Sequence, residues 1–260
     1  MKSSVAIEAF AIAQEQPVQA IRLSLWQRSQ HRYPKIRTTL ILGKQQAMTQ
    51  ALPKPITFEE FLEWKPETGR YELHDGTIIE MQPTGEHEEI KGFLTTKLIV
   101  EFNRLNLPYF IPNQAIVKPP EKETGYLPDV LIVNRANLAA EPLWKKSSTV
   151  TQGASIPLVI EVVSTNWRDD YLVKVADYEE IGVPEYWIVD YLGLGGRRFI
   201  GNPKQPTISV YSLVEGEYQV SQFRGADRIE SPAFPDLNLT AEQVFRVGAL
   251  SEQQEQHNES

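Results

Sequence analysis

Apolar and polar positions alternate in distinct rhythms along the chain, and the rhythms predict its elements. Thr57-Phe58-Glu59-Glu60 has the form of a capping box, so a short helix begins there with Phe58, Phe61 and Leu62 as its apolar side. Asp75-Gly76, set within Tyr71-Glu72-Leu73-His74 and Thr77-Ile78-Ile79, predicts a hairpin. Residues 86–105 carry Ile90, Phe93, Leu94, Leu98, Ile99, Phe102 and Leu105 at helical spacing, one apolar stripe. Two short apolar runs, Asp129-Val130-Leu131-Ile132-Val133 and Leu158-Val159-Ile160-Glu161-Val162-Val163, predict buried strands, with Lys145-Lys146-Ser147-Ser148 as loop between them. A helix is expected from about Asp169 to Ile181, stopped by Gly182 and Pro184. Tyr186–Asp190 is a further strand, and 207–223 alternates around a second hairpin turn at Glu215-Gly216. The stretch from Phe234 to Val247 ends in a short helix. This order of elements predicts an α/β domain, a mixed central sheet flanked by helices.

Charge divides the chain where periodicity fades. Residues 1–47 hold seven Lys/Arg against two acids, a net of +5, which leaves −13 for the rest of a chain whose total is −8. The segment reads as an N-terminal extension: a disordered or loosely helical tail, or sequence upstream of a true start at Met48. A basic arm that helps to hold DNA is the functional alternative. The domain proper is expected over 48–249, followed by a polar tail, 250–260.

Composition narrows the chemistry. There is no cysteine, so thiolate nucleophiles, disulfides, zinc fingers and Fe–S clusters are excluded. Four histidines are too few and too scattered for a multi-histidine centre, so a metal here is expected to be a hard cation held by oxygens, Mg²⁺ or Mn²⁺. The net charge argues against coating nucleic acid by bulk charge, and leaves room for a nuclease whose acids bind metal. No apolar run is long enough to span a bilayer, and Glu8 and Glu15 break any signal-peptide pattern; a cytoplasmic location is the expectation.

Two acids stand out because they interrupt apolar strands, where a lone carboxylate is costly unless paired or bound to metal. Asp129 opens one strand after Pro128, and Glu161 stands among five apolar neighbours. They stand 32 positions apart, room for a strand, a loop and a return strand, and if the strands pair the carboxylates can converge on one cation. Taken singly, Asp129 is also a turn residue and Glu161 an edge-strand residue facing water. Lys174, in the following helix, is the candidate for offsetting charge near the phosphate, with Asp170 and Tyr178 on its face. Taken without that context, it reads rather as a surface lysine that pairs with Asp170 or Asp177. Glu72 reads either as a third acid of the cluster or as a solvent-facing strand residue. His87 reads as a cap or surface residue, and Asp190 as a turn residue.

Pro128-Asp129 followed by Glu161-Val162-Val163 resembles the PD-(D/E)XK nuclease signature. The wider pattern resembles the Uma-two family of restriction endonucleases, abundant in cyanobacteria. It is carried by Tyr71-Glu72-Leu73 with Gly76, Met81–Gly85, Pro128-Asp129-Val130, Glu161–Ser164, the K-x-x-x-Y pair Lys174 and Tyr178, and Gly182–Asp190. It covers about 48–249. The resemblance implies a restriction-endonuclease-like fold, with Asp129, Glu161 and the backbone carbonyl of Val162 as metal ligands and Glu72 as a supporting acid. It further implies an Mg²⁺- or Mn²⁺-dependent hydrolase of DNA phosphodiester bonds, working as a homodimer. One departure matters: the signature lysine should stand at position 163, which is Val163, and its role is expected to pass to Lys174.

On this reading Arg197, Arg198 and Lys204, in a Gly-rich turn, are candidate phosphate contacts. A non-catalytic DNA-binding or dimerisation module on the same fold is the alternative that Val163 favours. A glycosidase using a carboxylate pair is disfavoured, because the acids are strand-borne and no aromatic cleft accompanies them.

Overall fold

The computed structural model describes residues 54–248; the extension 1–47, the start at Met48 and the tail 250–260 lie outside them. The capping box forms as expected: the Thr57 hydroxyl accepts from Glu60 N and the Glu60 carboxylate from Thr57 N, starting α1 (Phe58–Trp64). Strands β1 (Tyr71–His74) and β2 (Thr77–Glu80) pair antiparallel. Their turn places Asp75 at φ 46° and Gly76 at φ 77°, the left-handed pair that a two-residue hairpin requires. Helix α2 (Gly85–Arg104) follows, N-capped by Thr84.

Eight further strands follow among the described residues. They are β3 (Tyr109–Phe110), β4 (Ile116–Val117), β5 (Val130–Asn134), β6 (Thr149–Val150), β7 (Leu158–Val162), β8 (Glu185–Asp190), β9 (Thr207–Val214) and β10 (Glu217–Phe223). Six of them form the central sheet, in the order β10-β9-β8-β7-β5-β3. Within it only β7 and β8 run parallel; every other neighbouring pair is antiparallel, so the sheet is mixed. The short strands β4 and β6 pair with each other in a separate parallel ladder.

Alternation along the strands sorts the side chains into two cores. Val130, Ile132, Leu158, Ile160, Val162 and Trp187 face α2, whose Ile90, Leu94, Leu98 and Phe102 complete that layer. Each of those helix side chains contributes about 1.5–3 kcal/mol by burial. Leu131, Val133, Val159, Val163 and Ile188 point the other way, against Tyr171 and Tyr178. The helix carrying these tyrosines begins with a π-helical turn, Asp169–Lys174, and continues as α3 (Val175–Ile181), which ends at Gly182 in the left-handed region. The expectation of helices on both faces of a mixed sheet is met. Three local expectations are corrected. Ile99 faces outward from α2, Trp144–Ser147 forms one helical turn rather than loop, and Arg197–Ile200 is a short helix rather than a Gly-rich turn. Residues 241–248 are helical, as expected for the end of the domain. Among the described residues no helix is long and apolar enough to cross a membrane.

Candidate active site

Asp129 and Glu161 lie on adjoining strands and on one face. The register pairs Val130 with Ile160, which sets position 129 beside position 161. Both have the parity of Leu131, Val159 and Val163, the layer that meets α3. The Asp129 carboxylate is fixed from three directions. Its Oδ2 accepts the Val162 N–H at 2.9 Å and lies 3.1 Å from Nε2 of His87, while its Oδ1 lies 3.4 Å from the Arg70 guanidinium. The same arginine donates to the Leu127 carbonyl at 3.1 Å and so anchors the loop entering β5. The His87 Nε2 also lies 3.0 Å from the carbonyl oxygen of Val162.

Lys174 enters from the opposite wall. The wide turn Asp169–Lys174 buries Asp170, Tyr171 and Lys174 together, and such turns recur at functional sites. Lys174 is only 2% exposed. Its Nζ lies 3.0 Å from Glu161 Oε1, 3.4 Å from Glu72 Oε1 and 3.5 Å from Asp170 Oδ1. Tyr178, one turn on, donates its hydroxyl to Glu161 Oε1 at 3.0 Å. Glu72 comes from β1, is buried, and accepts the Leu127 N–H at 2.8 Å; its other oxygen lies 2.7 Å from His74 Nε2.

Three carboxylates therefore share one ammonium, and their proton affinities follow. Burial raises the Glu161 carboxyl to about 8, with Asp129, Glu72 and Asp170 adding to the rise and Lys174 opposing it. Burial likewise lifts Asp170 to about 6 against the pull of Lys174. Burial also works against the charge of Glu72 and Asp129, but their partners prevail. Lys174 and His74 hold Glu72 below the usual range, and His87, Val162 N–H and Arg70 do so for Asp129. Burial opposes the Lys174 ammonium, and Glu161, Glu72 and Asp170 more than restore it, so the lysine stays charged. For His87, burial again lowers and the bond to Asp129 raises, with a net rise.

The surplus of negative charge and the donor set together fit a hard divalent cation. Further positive charge at the cluster would favour the ionised form of Glu161, and the Asp129 carboxylate and Val162 carbonyl converge on one point, marked by His87 Nε2. Among the described residues no group of three or more His, Asp or Glu side chains is placed to hold a metal ion, and the point between Asp129 and Val162 has a backbone carbonyl as one of its oxygens. A cavity of about 40 Å³ lies among Glu72, His87, Asp129, Glu161, Asp170 and Lys174. A groove of about 430 Å³ adjoins it, with Arg70, Thr84, Ser164 and Asn166 in its walls.

The structure thus brings together Asp129, Glu161, Lys174, Glu72 and the Val162 backbone. Lys174 pairs with Asp170, as its surface reading had it, but buried within the acidic cluster. Asp177 pairs instead with Lys122 and Tyr126. His87 is corrected: it is buried at the cluster, not a cap or surface residue. The signal was available, since position 87 continues the stripe of Ile90 and Leu94 back to the helix start. Arg70 and Asp170 gave no comparable signal. Asp190 is a turn residue as expected, its carboxylate accepting from Leu194 N and Gly195 N. Arg198 stacks on Phe199 and Lys204 donates to the Leu194 carbonyl.

Comparison with known proteins agrees with this architecture. No curated protein matches the chain. Among solved structures it is similar to "a putative nuclease belonging to DUF820 from Anabaena variabilis", with a TM-score of 0.57 and 18% identity over 75% of this chain and 99% of that one. That likeness shows a shared fold. The model of the Uma2 family, described as "Putative restriction endonuclease", matches residues 58–242, which include every member of the cluster. The chain belongs to the Uma2 family.

Proposed function

We propose that this chain is a metal-dependent endonuclease that hydrolyses DNA phosphodiester bonds at the Glu72–Asp129–Glu161–Lys174 cluster. The observation that carries the reading is the buried Lys174 ammonium, 3.0 Å from Glu161. It supplies from the helix the positive charge that Val163 cannot supply from the strand. Asp129, Glu161 and the Val162 carbonyl would hold Mg²⁺ or Mn²⁺. When bound, the ion supplies Lewis acidity and acidifies the attacking water.

The chain's own groups then have distinct tasks. Val162 N–H, Arg70 and His87 fix the Asp129 carboxylate, so its orientation is set before substrate arrives. Glu72 tethers Lys174 and, through Leu127 N, the loop carrying Asp129. As water adds to phosphorus and the P–O bond to the leaving oxygen breaks, charge builds on the phosphoryl oxygens. The buried Lys174 ammonium offsets it. The adjoining groove gives the DNA strand an approach to the acids. A cytoplasmic homodimer would place two such sites on two strands, which sedimentation of the purified chain tests.

Supercoiled plasmid with Mg²⁺ or Mn²⁺ tests the activity. Nicking by the wild-type chain and its loss in Glu161→Ala are expected. Cutting that survives in Glu161→Ala sinks the assignment. DNA bound but left intact under either metal favours a non-catalytic module, the reading that the core position of Val163 supports.

A further inference from the structure

His87 is unusual among the groups at the cluster because it touches two of the three groups proposed to hold the cation. Its Nε2 lies 3.1 Å from Asp129 Oδ2 and 3.0 Å from the Val162 carbonyl oxygen. Two donor atoms bound to one octahedral ion at about 2.1 Å stand about 3.0 Å apart. Nε2 therefore already sits from each oxygen at the spacing that shared coordination requires. The ring comes from the first turn of α2, with Thr84 as the cap, and the side of the helix that continues through Ile90 and Leu94 packs on the sheet, so the imidazole is held in place by the core.

Its other nitrogen matters equally. Nδ1 is buried and has no hydrogen-bond partner among the described residues. Asp129 Oδ2 and the Val162 carbonyl, both acceptors, hold a proton on Nε2 in the metal-free site. A cation between those two oxygens would take the place of that proton and face the Nε2 lone pair, with the ring's remaining proton on Nδ1.

We infer that His87 Nε2 is a further protein donor to the divalent cation, added to Asp129, Glu161 and the Val162 carbonyl, and that this nitrogen biases the site toward Mn²⁺ over Mg²⁺. An imidazole suits transition metals, whereas Mg²⁺ keeps to oxygen. The inference rests on the metal site proposed above.

The test is spin-echo envelope modulation of Mn²⁺ bound to the full chain, with Mn²⁺ and Mg²⁺ affinities measured by calorimetry. Wild type is expected to show the nitrogen modulation of a bound imidazole, lost in both His87→Ala and His87→Gln. His87→Gln keeps the bulk of the side chain and decides the matter if the alanine variant fails to fold. Mn²⁺ affinity is expected to fall by about tenfold or more, the scale of losing a group that supports a metal site. Mg²⁺ affinity is expected to change by less than about threefold, since that ion gains little from nitrogen. Wild-type modulation without nitrogen, or nitrogen that persists in both variants, overturns the inference. If Asp129→Ala still abolishes Mn²⁺ binding in that case, the oxygen site stands and only the role of His87 falls. A wild-type chain that binds no Mn²⁺ overturns both.

Discussion

The Nζ of Lys174 lies 3.0 Å from Oε1 of Glu161, although the lysine stands on a helix and the glutamate in the middle of the sheet. A PD-(D/E)XK signature would put its lysine at position 163, on the same strand and face as Glu161. Here that place is filled by Val163, 1% exposed and packed with Tyr171 and Tyr178. The ammonium therefore arrives from above the strand end. It meets Glu161, Glu72 and Asp170 together, so it neutralises the acids as well as facing the site.

Exchanging the two positions tests this substitution of one origin for another. Val163→Lys alone adds a second ammonium and removes an apolar side chain from the core, at an expected cost of about 2–4 kcal/mol. Lys174→Ala alone leaves buried acids without their partner, at about 3–5 kcal/mol. The double variant should be more stable than the sum of the two, by at least about 1 kcal/mol, because the new ammonium faces the old acids. Urea denaturation of the four proteins measures the coupling; strict additivity would mean that an ammonium introduced on the strand does not reach the cluster.

The pH dependence of stability follows from Glu161. With its carboxyl at about 8 in the fold, against an ordinary 4.5, the folded chain holds a proton that the unfolded chain has released between those values. This contribution is full below about 4.5 and is lost as pH rises to about 8. Without divalent metal, Glu161→Gln should therefore gain melting temperature over wild type on going from pH 6 to pH 9. Thermal melts across that range check it, and a constant difference would contradict the burial of an ionising Glu161.

Asp129 should link metal to folding. A ligand that binds only the native chain stabilises it by about 2.7 kcal/mol at a hundred times its Kd. Mn²⁺ should raise the melting temperature of wild type and leave Asp129→Asn unmoved, since the amide lacks the charge that Arg70 and His87 now hold in place. Equal metal shifts in both proteins would place the ion elsewhere.

The parity of 129–133 and 158–163 was legible because both runs are buried on two faces, and an acid in such a run is conspicuous. Parity gave the face within each strand, and the pairing of Val130 with Ile160 set Asp129 and Glu161 on one side of the sheet. Lys174 was legible only as a candidate: position 174 fits both a solvent-facing and an inward side chain. The π-helical turn that buries it leaves no mark in apolar spacing. His87 was misjudged because a polar residue in a first helical turn usually caps or faces water; the stripe it shares with Ile90 and Leu94 was the better guide. Arg70 sits just before β1, and its grip on the loop entering β5 depends on the pairing of β1 with residues around Gly125, which no local pattern encodes.

The most direct test of the account is the single-turnover rate of plasmid nicking by Lys174→Gln at saturating Mn²⁺, with Mn²⁺ affinity measured on the same protein. Glutamine keeps a polar side chain, one atom shorter, and removes the charge. The account expects the rate to fall by about 100-fold or more, the scale of losing one preorganised group at the developing charge, while Mn²⁺ still binds. A Lys174→Gln chain that binds Mn²⁺ and nicks within about threefold of wild type, far less than such a loss allows, would contradict it.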